Sequence, residues 1–182
     1  MTKKEINVFD YAGEILKALP GGILLTSEAE DCTNAMTIGW GTLGIEWRVP
    51  IFAVYIREGR FTRELIDRTG EFTVCVPRGE VSPQVKKALA ICGSKSGRNT
   101  DKIAESKLTI VEAEAVRSPA IKELPLTLEC RVVFQEVQSV KKISSKFAKF
   151  YPEGVDSSHA GANADPHVAY YGEILKAYII EE

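Results

Sequence analysis

Apolar and polar residues alternate with a period of two in several stretches of this chain, and such alternation marks half-buried strands. From Glu71 to Val76, Phe72, Val74 and Val76 alternate with Thr73 and Cys75. From Leu126 to Phe134, Leu126, Leu128, Cys130, Val132 and Phe134 alternate with Thr127, Glu129, Arg131 and Val133. Beyond Phe134 the apolar phase slips to Val137 and Val140, which predicts a bulge or bend of the kind that lets a sheet curl. His167 to Ile180 alternates again, with Ile174, Lys176, Tyr178 and Ile180 set against Glu173, Leu175, Ala177 and Ile179. The apolar run Ile51 to Ile56 adds a strand, and Ile23 to Ser27 and Thr33 to Thr42, separated by the polar turn Glu28 to Asp31, add a hairpin.

Helical patterning is sparser. Lys4 to Leu19 places Ile15, Leu16 and Leu19 on one side and is stopped by Pro20-Gly21-Gly22. A short helix over Arg63 to Thr69, with Thr62 as its cap, ends at Gly70. Ser82-Pro83 opens a helix as N-cap and first turn, with Val85, Ala88, Leu89 and Cys92 on one face and Gly93 at its end. Asn99 caps a further turn holding Asp101, Lys102 and Ile103. In Lys141 to Pro166 the first half reads as a short helix showing Ile143, Phe147 and Phe150, and Pro152 to Pro166 reads as a loop. The hexapeptide Gly-Glu-Ile-Leu-Lys-Ala occurs at Gly13 to Ala18 and again at Gly172 to Ala177, where tertiary context is expected to make one copy helical and the other extended. The pattern is mainly β, antiparallel, with peripheral helices.

A length of 182 residues with 45% hydrophobic content suits one domain over the whole span 1–182. The net charge of -2 argues against nucleic acid, which calls for a clustered basic excess. No apolar run is long enough to cross a bilayer, and the first residues lead into no signal-peptide core, so a cytoplasmic protein without a membrane partner is expected. Cys32, Cys75, Cys92 and Cys130 are scattered, with only His159 and His167 beside them, so neither a disulfide framework nor a metal site is expected.

Two stretches carry candidate chemistry. The first, Asn34 to Gly41, mixes side chains suited to a pleated surface with glycines that permit close approach to the backbone. The second, Arg57-Glu58-Gly59-Arg60-Phe61-Thr62, offers two guanidinium forks and the start of a helix, both of which seek anionic oxygens. Gly39-Trp40-Gly41-Thr42-Leu43-Gly44 matches a dinucleotide fingerprint, but Ile45 to Val49 followed by Pro50 leaves no room for the helix that the fingerprint requires. The loop Cys92 to Arg98 is neither a P-loop nor a nucleophile elbow. Trp40 and Trp47 suit either a site or a packing role, and Lys141, Lys142, Lys146 and Lys149 suit a solvated helix face.

Taken in order, Pro20-Gly21-Gly22, Asn34-x-Met36-Thr37-x-Gly39-Trp40, Arg57-x-x-Arg60-Phe61-Thr62, Gly70-Glu71-Phe72, Cys92-Gly93-x-x-Ser96-Gly97-Arg98-x-x-Asp101-Lys102, Leu128-Glu129-Cys130-Arg131 and His167 with Gly172 resemble the flavin reductase-like family, which includes flavoredoxins. The resemblance implies an FMN-binding split β-barrel, antiparallel and Greek-key-like, usually a homodimer. It implies FMN rather than FAD as cofactor, NAD(P)H as candidate co-substrate and a redox protein as candidate partner. Asn34, Met36 and Thr37 would meet the flavin ring, with Trp40 beside them. Arg57, Arg60, Phe61 and Thr62 would form the phosphate end, completed by Ser96, Arg98 and Lys102. His167 would lie near the flavin, and no acid, base or nucleophile is required. A flavoredoxin-type electron carrier and a non-catalytic split-barrel binding protein are the alternatives. The long Lys141 to Pro166 segment departs from shorter family members and is placed to cover the flavin.

Overall fold

Strands this numerous build one long sheet, and the chain rolls that sheet up until its two edges approach each other. The computed structural model describes residues 1–30, 32–153 and 164–181. Its strands are β1 (Thr2–Glu5), β2 (Ile23–Ala29), β3 (Cys32–Ile38), β4 (Gly41–Glu46), β5 (Val49–Arg57), β6 (Glu71–Val76), β7 (Ile110–Val111), β8 (Ala120–Ile121), β9 (Leu126–Val137) and β10 (His167–Glu181). Its α-helices are α1 (Ala12–Ala18), α2 (Phe61–Thr69), α3 (Pro83–Ser94) and α4 (Lys102–Glu105).

The main sheet is antiparallel and runs β3-β2-β6-β9-β10-β5-β4, with β1 added to β10. Its two edge strands, β3 and β4, are consecutive in the chain and joined by Gly39 and Trp40 alone. Three Cα steps reach at most about 11 Å, so the two edges face each other across a narrow seam. This is the split antiparallel barrel expected from the resemblance.

The roll is packed with Phe52, Phe72 and Tyr170, and with Ile15 and Leu19 from the α1 region. A second layer forms outside β2, β3 and β6, where Leu24, Ala35 and Cys75 meet Val85, Ala88, Leu89 and Cys92 of α3 and Ile103 of α4. β2 and β6 are therefore covered on both faces. β10 pairs with β5 along its first half and with β1 at its far end. At the change of direction, a Cβ on Gly172 would stand 2.4 Å from the Phe72 ring, so only glycine lets that ring pack beneath the strand.

Several sequence expectations are corrected. The helix expected over Lys4 to Leu19 forms only over Ala12–Ala18, because Thr2–Glu5 pairs with β10 and Val8–Tyr11 is a 3-10 turn. The first hairpin arm runs on to Ala29, and the second ends at Ile38. α2 begins at Phe61 with Arg60 as N-cap residue, so Thr62 lies inside the first turn and does not cap it. Asp101, rather than Asn99, caps α4, its carboxylate accepting from the Ala104 amide at 2.9 Å.

The β9 irregularity lies at Val133, one residue before the expected slip, and a second lies at Leu175 of β10. The Lys141 to Pro166 segment holds 3-10 turns at Val140–Lys142 and Ser145–Phe150 rather than an α-helix. Its portion 154–163, with His159, lies outside the described residues. The glycine fingerprint continues as strand β4, as its flanks required. The two copies of the hexapeptide fall in α1 and β10, one helical and one extended.

Candidate functional site

The seam of the barrel is where the candidate residues meet. β3 is an edge strand, so among the described residues one side of its backbone has no strand partner. Three contacts fix it in place. Asn34 donates its side-chain amide to the Thr62 hydroxyl at 2.7 Å, which ties β3 to the first turn of α2. Thr37 donates its hydroxyl to the Leu89 carbonyl at 2.6 Å, which ties β3 to α3. A Cβ on Gly97 would stand 2.1 Å from the Asn34 side-chain oxygen, so the 94–99 loop lies against β3 as closely as glycine permits.

Between these elements lies a cavity of about 180 Å3, lined by Asn34, Met36, Thr37, Arg60, Phe61, Thr62, Ser96, Arg98 and Lys102 among others. It is cationic. The start of α2, where a helix leaves amides without intrahelical partners, forms its Arg60–Thr62 wall. Lys102 is only 4% exposed, and its ammonium finds the Cys92 carbonyl at a long 3.4 Å. Burial pushes its pKa down. A buried ammonium so weakly partnered is costly and fits a site built for an anion.

Arg98 is placed differently from the expectation of a direct phosphate ligand. It pairs with the Glu64 carboxylate, donates to the Gly59 carbonyl at 3.2 Å and lies 5.5 Å from the Phe61 ring centroid. It thereby straps the loop over the start of α2. The Ser96 hydroxyl accepts from the Arg98 amide at 3.3 Å. Cys92 also lines the cavity, and burial pushes its thiol pKa up, so it stays protonated and unreactive.

A second cavity of about 190 Å3 adjoins the first, sharing Met36, Thr37 and Arg60, and it adds Trp40, Tyr55, Arg57 and His167. All twelve candidate residues thus line one of two neighbouring hollows. His167 is buried, its ring 4.8 Å from Trp40 and its Nδ1 2.9 Å from the Tyr151 hydroxyl. Burial, aided by the Arg57 charge, lowers its pKa to about 4, so it is neutral near pH 7.

Arg57 does other work than the phosphate role read from the sequence. Its guanidinium donates to the Phe150 carbonyl at 2.6 Å and the Asp165 carbonyl at 2.9 Å, and it stacks 5.2 Å from the Tyr151 ring centroid. It fastens the segment around Tyr151 and Asp165 onto β5. Tyr151 and Asp165 were not singled out in the sequence. The aromatic cluster Phe147, Phe150 and Tyr151 was the available signal for the first; Asp165 had none.

Chemically, the groove offers a cationic end, a slot beside an edge strand and a neutral imidazole. The family model described as "Flavin reductase like domain" matches residues 17–182. An uncharacterized protein of Archaeoglobus fulgidus is 39% identical over 106 residues, covering 58% of this chain and 56% of that protein. The chain thus spans a little over half the length of the curated relatives it matches. Among solved structures, flavoredoxin from Methanosarcina acetivorans superposes with a TM-score of 0.62 at 28% identity, over 88% of this chain and 68% of that one. Flavoredoxin of Desulfovibrio vulgaris gives 0.64 at 22% identity, over 88% and 69%. With the family model covering residues 17–182, the chain belongs to the flavin reductase-like domain family.

Proposed function

We propose that the seam groove binds FMN and that the protein is an NAD(P)H-dependent flavin reductase-like oxidoreductase. The observation that carries this reading is the buried ammonium of Lys102 beside Arg60 and the start of α2, in a cavity continuous with a slot along β3. Arg60, Lys102 and the α2 amides would hold the phosphate, and Ser96 would stand beside it. Met36, Thr37 and Trp40 would border the ring, with Asn34 and Thr62 setting the spacing between strand and helix. A cavity of about 180 Å3 at the cationic end suits a phosphate with part of its ribityl chain.

When bound, the flavin supplies hydride and electron transfer. The chain's residues orient it, neutralise its phosphate and keep an uncharged imidazole at the ring end. Each charge-assisted hydrogen bond to phosphate contributes roughly 1.5–3 kcal/mol, so two or three of them with ring burial give micromolar binding or better.

Purified protein should be yellow or bind added FMN, and should then oxidise NADH or NADPH. Failure to bind FMN would overturn the cofactor reading. Binding without nucleotide oxidation would favour the second reading, a flavoredoxin-type electron carrier serving a redox partner protein. That reading has its own support: Phe150 packs on Trp40 and Tyr151 on His167, two walls of the ring-end cavity, where a nicotinamide would need access.

We also infer a homodimer. Ile45, Trp47, Val133, Phe134 and Val137 leave apolar surface exposed on neighbouring parts of the sheet, with Trp47 and Phe134 rings 6.4 Å apart. One cytoplasmic domain over 1–182 is consistent with four unpaired cysteines.

A further inference from the structure

On the other side of Trp40 lies a larger hollow of about 610 Å3, within the usual size of small-molecule sites. Leu16, Leu19, Trp40, Ile143, Phe147 and Phe150 supply half of its lining residues, and among the described residues no carboxylate lines it. Leu16, Phe147 and Phe150 are all more than a third exposed, an apolar concentration that solvent alone does not account for. Trp40 and Phe150 meet edge to face at 5.2 Å, the geometry in which aromatic rings also receive a further ring. The Lys146 ammonium lies 5.5 Å from the Phe147 ring centroid and that of Lys149 lies 5.2 Å from Phe150, so two cations stand on rings of the lining without themselves lining the hollow.

An apolar floor whose Phe147 and Phe150 rings each carry a nearby ammonium group selects a molecule with both characters. We propose that this hollow binds an aromatic carboxylate, its rings among Trp40, Phe147 and Phe150 and its carboxylate toward Lys146 and Lys149. The hollow shares Gly39, Trp40 and Tyr55 with the ring-end cavity, so its occupant lies beside whatever that cavity holds. A role as reaction partner of a flavin rests on the FMN reading; the binding itself does not.

The test is calorimetric titration of the full chain with 2-naphthoate, with and without FMN, against the uncharged 2-naphthalenemethanol. Saturable naphthoate binding is expected, about tenfold tighter than the alcohol and weakened by salt. The double variant Lys146→Gln, Lys149→Gln should erase that preference, and Phe147→Ala, at a half-exposed position, should weaken both ligands about tenfold with an unchanged circular dichroism spectrum. No saturable binding at millimolar naphthoate would overturn the proposal, as would equal affinity for acid and alcohol. So would sedimentation showing that the ligand binds only when a dimer dissociates, since a second copy would then be the occupant. Naphthoate binding in a protein that ignores FMN would remove the flavin reading alone, and the reverse result would remove this one alone.

Discussion

The amide of Asn34 and the hydroxyl of Thr62, 2.7 Å apart and both buried, join the open edge of the sheet to the first turn of α2. Replacing Thr62 with Val leaves that amide unpaired in the interior. The expected cost is about 1–3 kcal/mol, seen as a lower melting temperature, together with weaker FMN binding because the strand and helix that flank the groove lose their spacer. A variant as stable as the parent would show that this bond does not hold the groove.

Lys102 should behave in the opposite sense for stability. Lys102→Met removes a poorly partnered buried charge, so the FMN-free protein should melt no lower than the parent. FMN affinity should nevertheless fall by about tenfold or more. Loss of stability without loss of FMN affinity would assign the ammonium to the fold instead.

Arg60→Ala should weaken FMN binding by an amount that shrinks as salt is raised, because Arg60 lines both cavities and its contact with a phosphate would be partly solvent-screened. Titrations at low and high ionic strength check this. A salt-independent loss points to altered packing of α2.

His167 sets a pH dependence. Its pKa is about 4 in the folded chain against about 6.5 when unfolded, so the unfolded state takes up the proton first as pH falls. Its stabilising share is complete above pH 6.5 and is lost as pH drops toward 4, on the order of 3 kcal/mol at most. Denaturant midpoints measured from pH 7.5 to 4.5 should therefore fall more steeply for the parent than for His167→Gln.

Trp47→Asp should convert a dimer to monomer in sedimentation while leaving the fold intact, because Trp47 is 56% exposed at a hairpin tip. Unchanged mass would move the interface elsewhere.

The strands were legible where one face is buried, as in β6 and the first part of β9, because alternation survives there. β1 was not, since Thr2–Glu5 is short and polar and owes its form to the register with β10. The tip of the β4–β5 hairpin was hidden too: Trp47 and Arg48 both take positive φ without the usual Asn-Gly signal. Most of the candidate residues came together because they lie along one course, β3 to the start of α2, with the 94–102 loop folded over it, and His167 joins them from β10 by pairing opposite Arg57. What could not be read were the partners that redirect them. Arg57 is engaged by Phe150 and Asp165, and Arg98 by Glu64, and such distant pairings leave no local trace in a sequence.

The six residues Gly-Glu-Ile-Leu-Lys-Ala coil in α1 and stretch in β10 of the same molecule. Cut out as a free peptide, they would carry no instruction for either shape. An antibody raised against one conformation should ignore the other, and grafting either copy with its flanks exchanged should leave both shapes where they were, since the surroundings, and not those six side chains, choose.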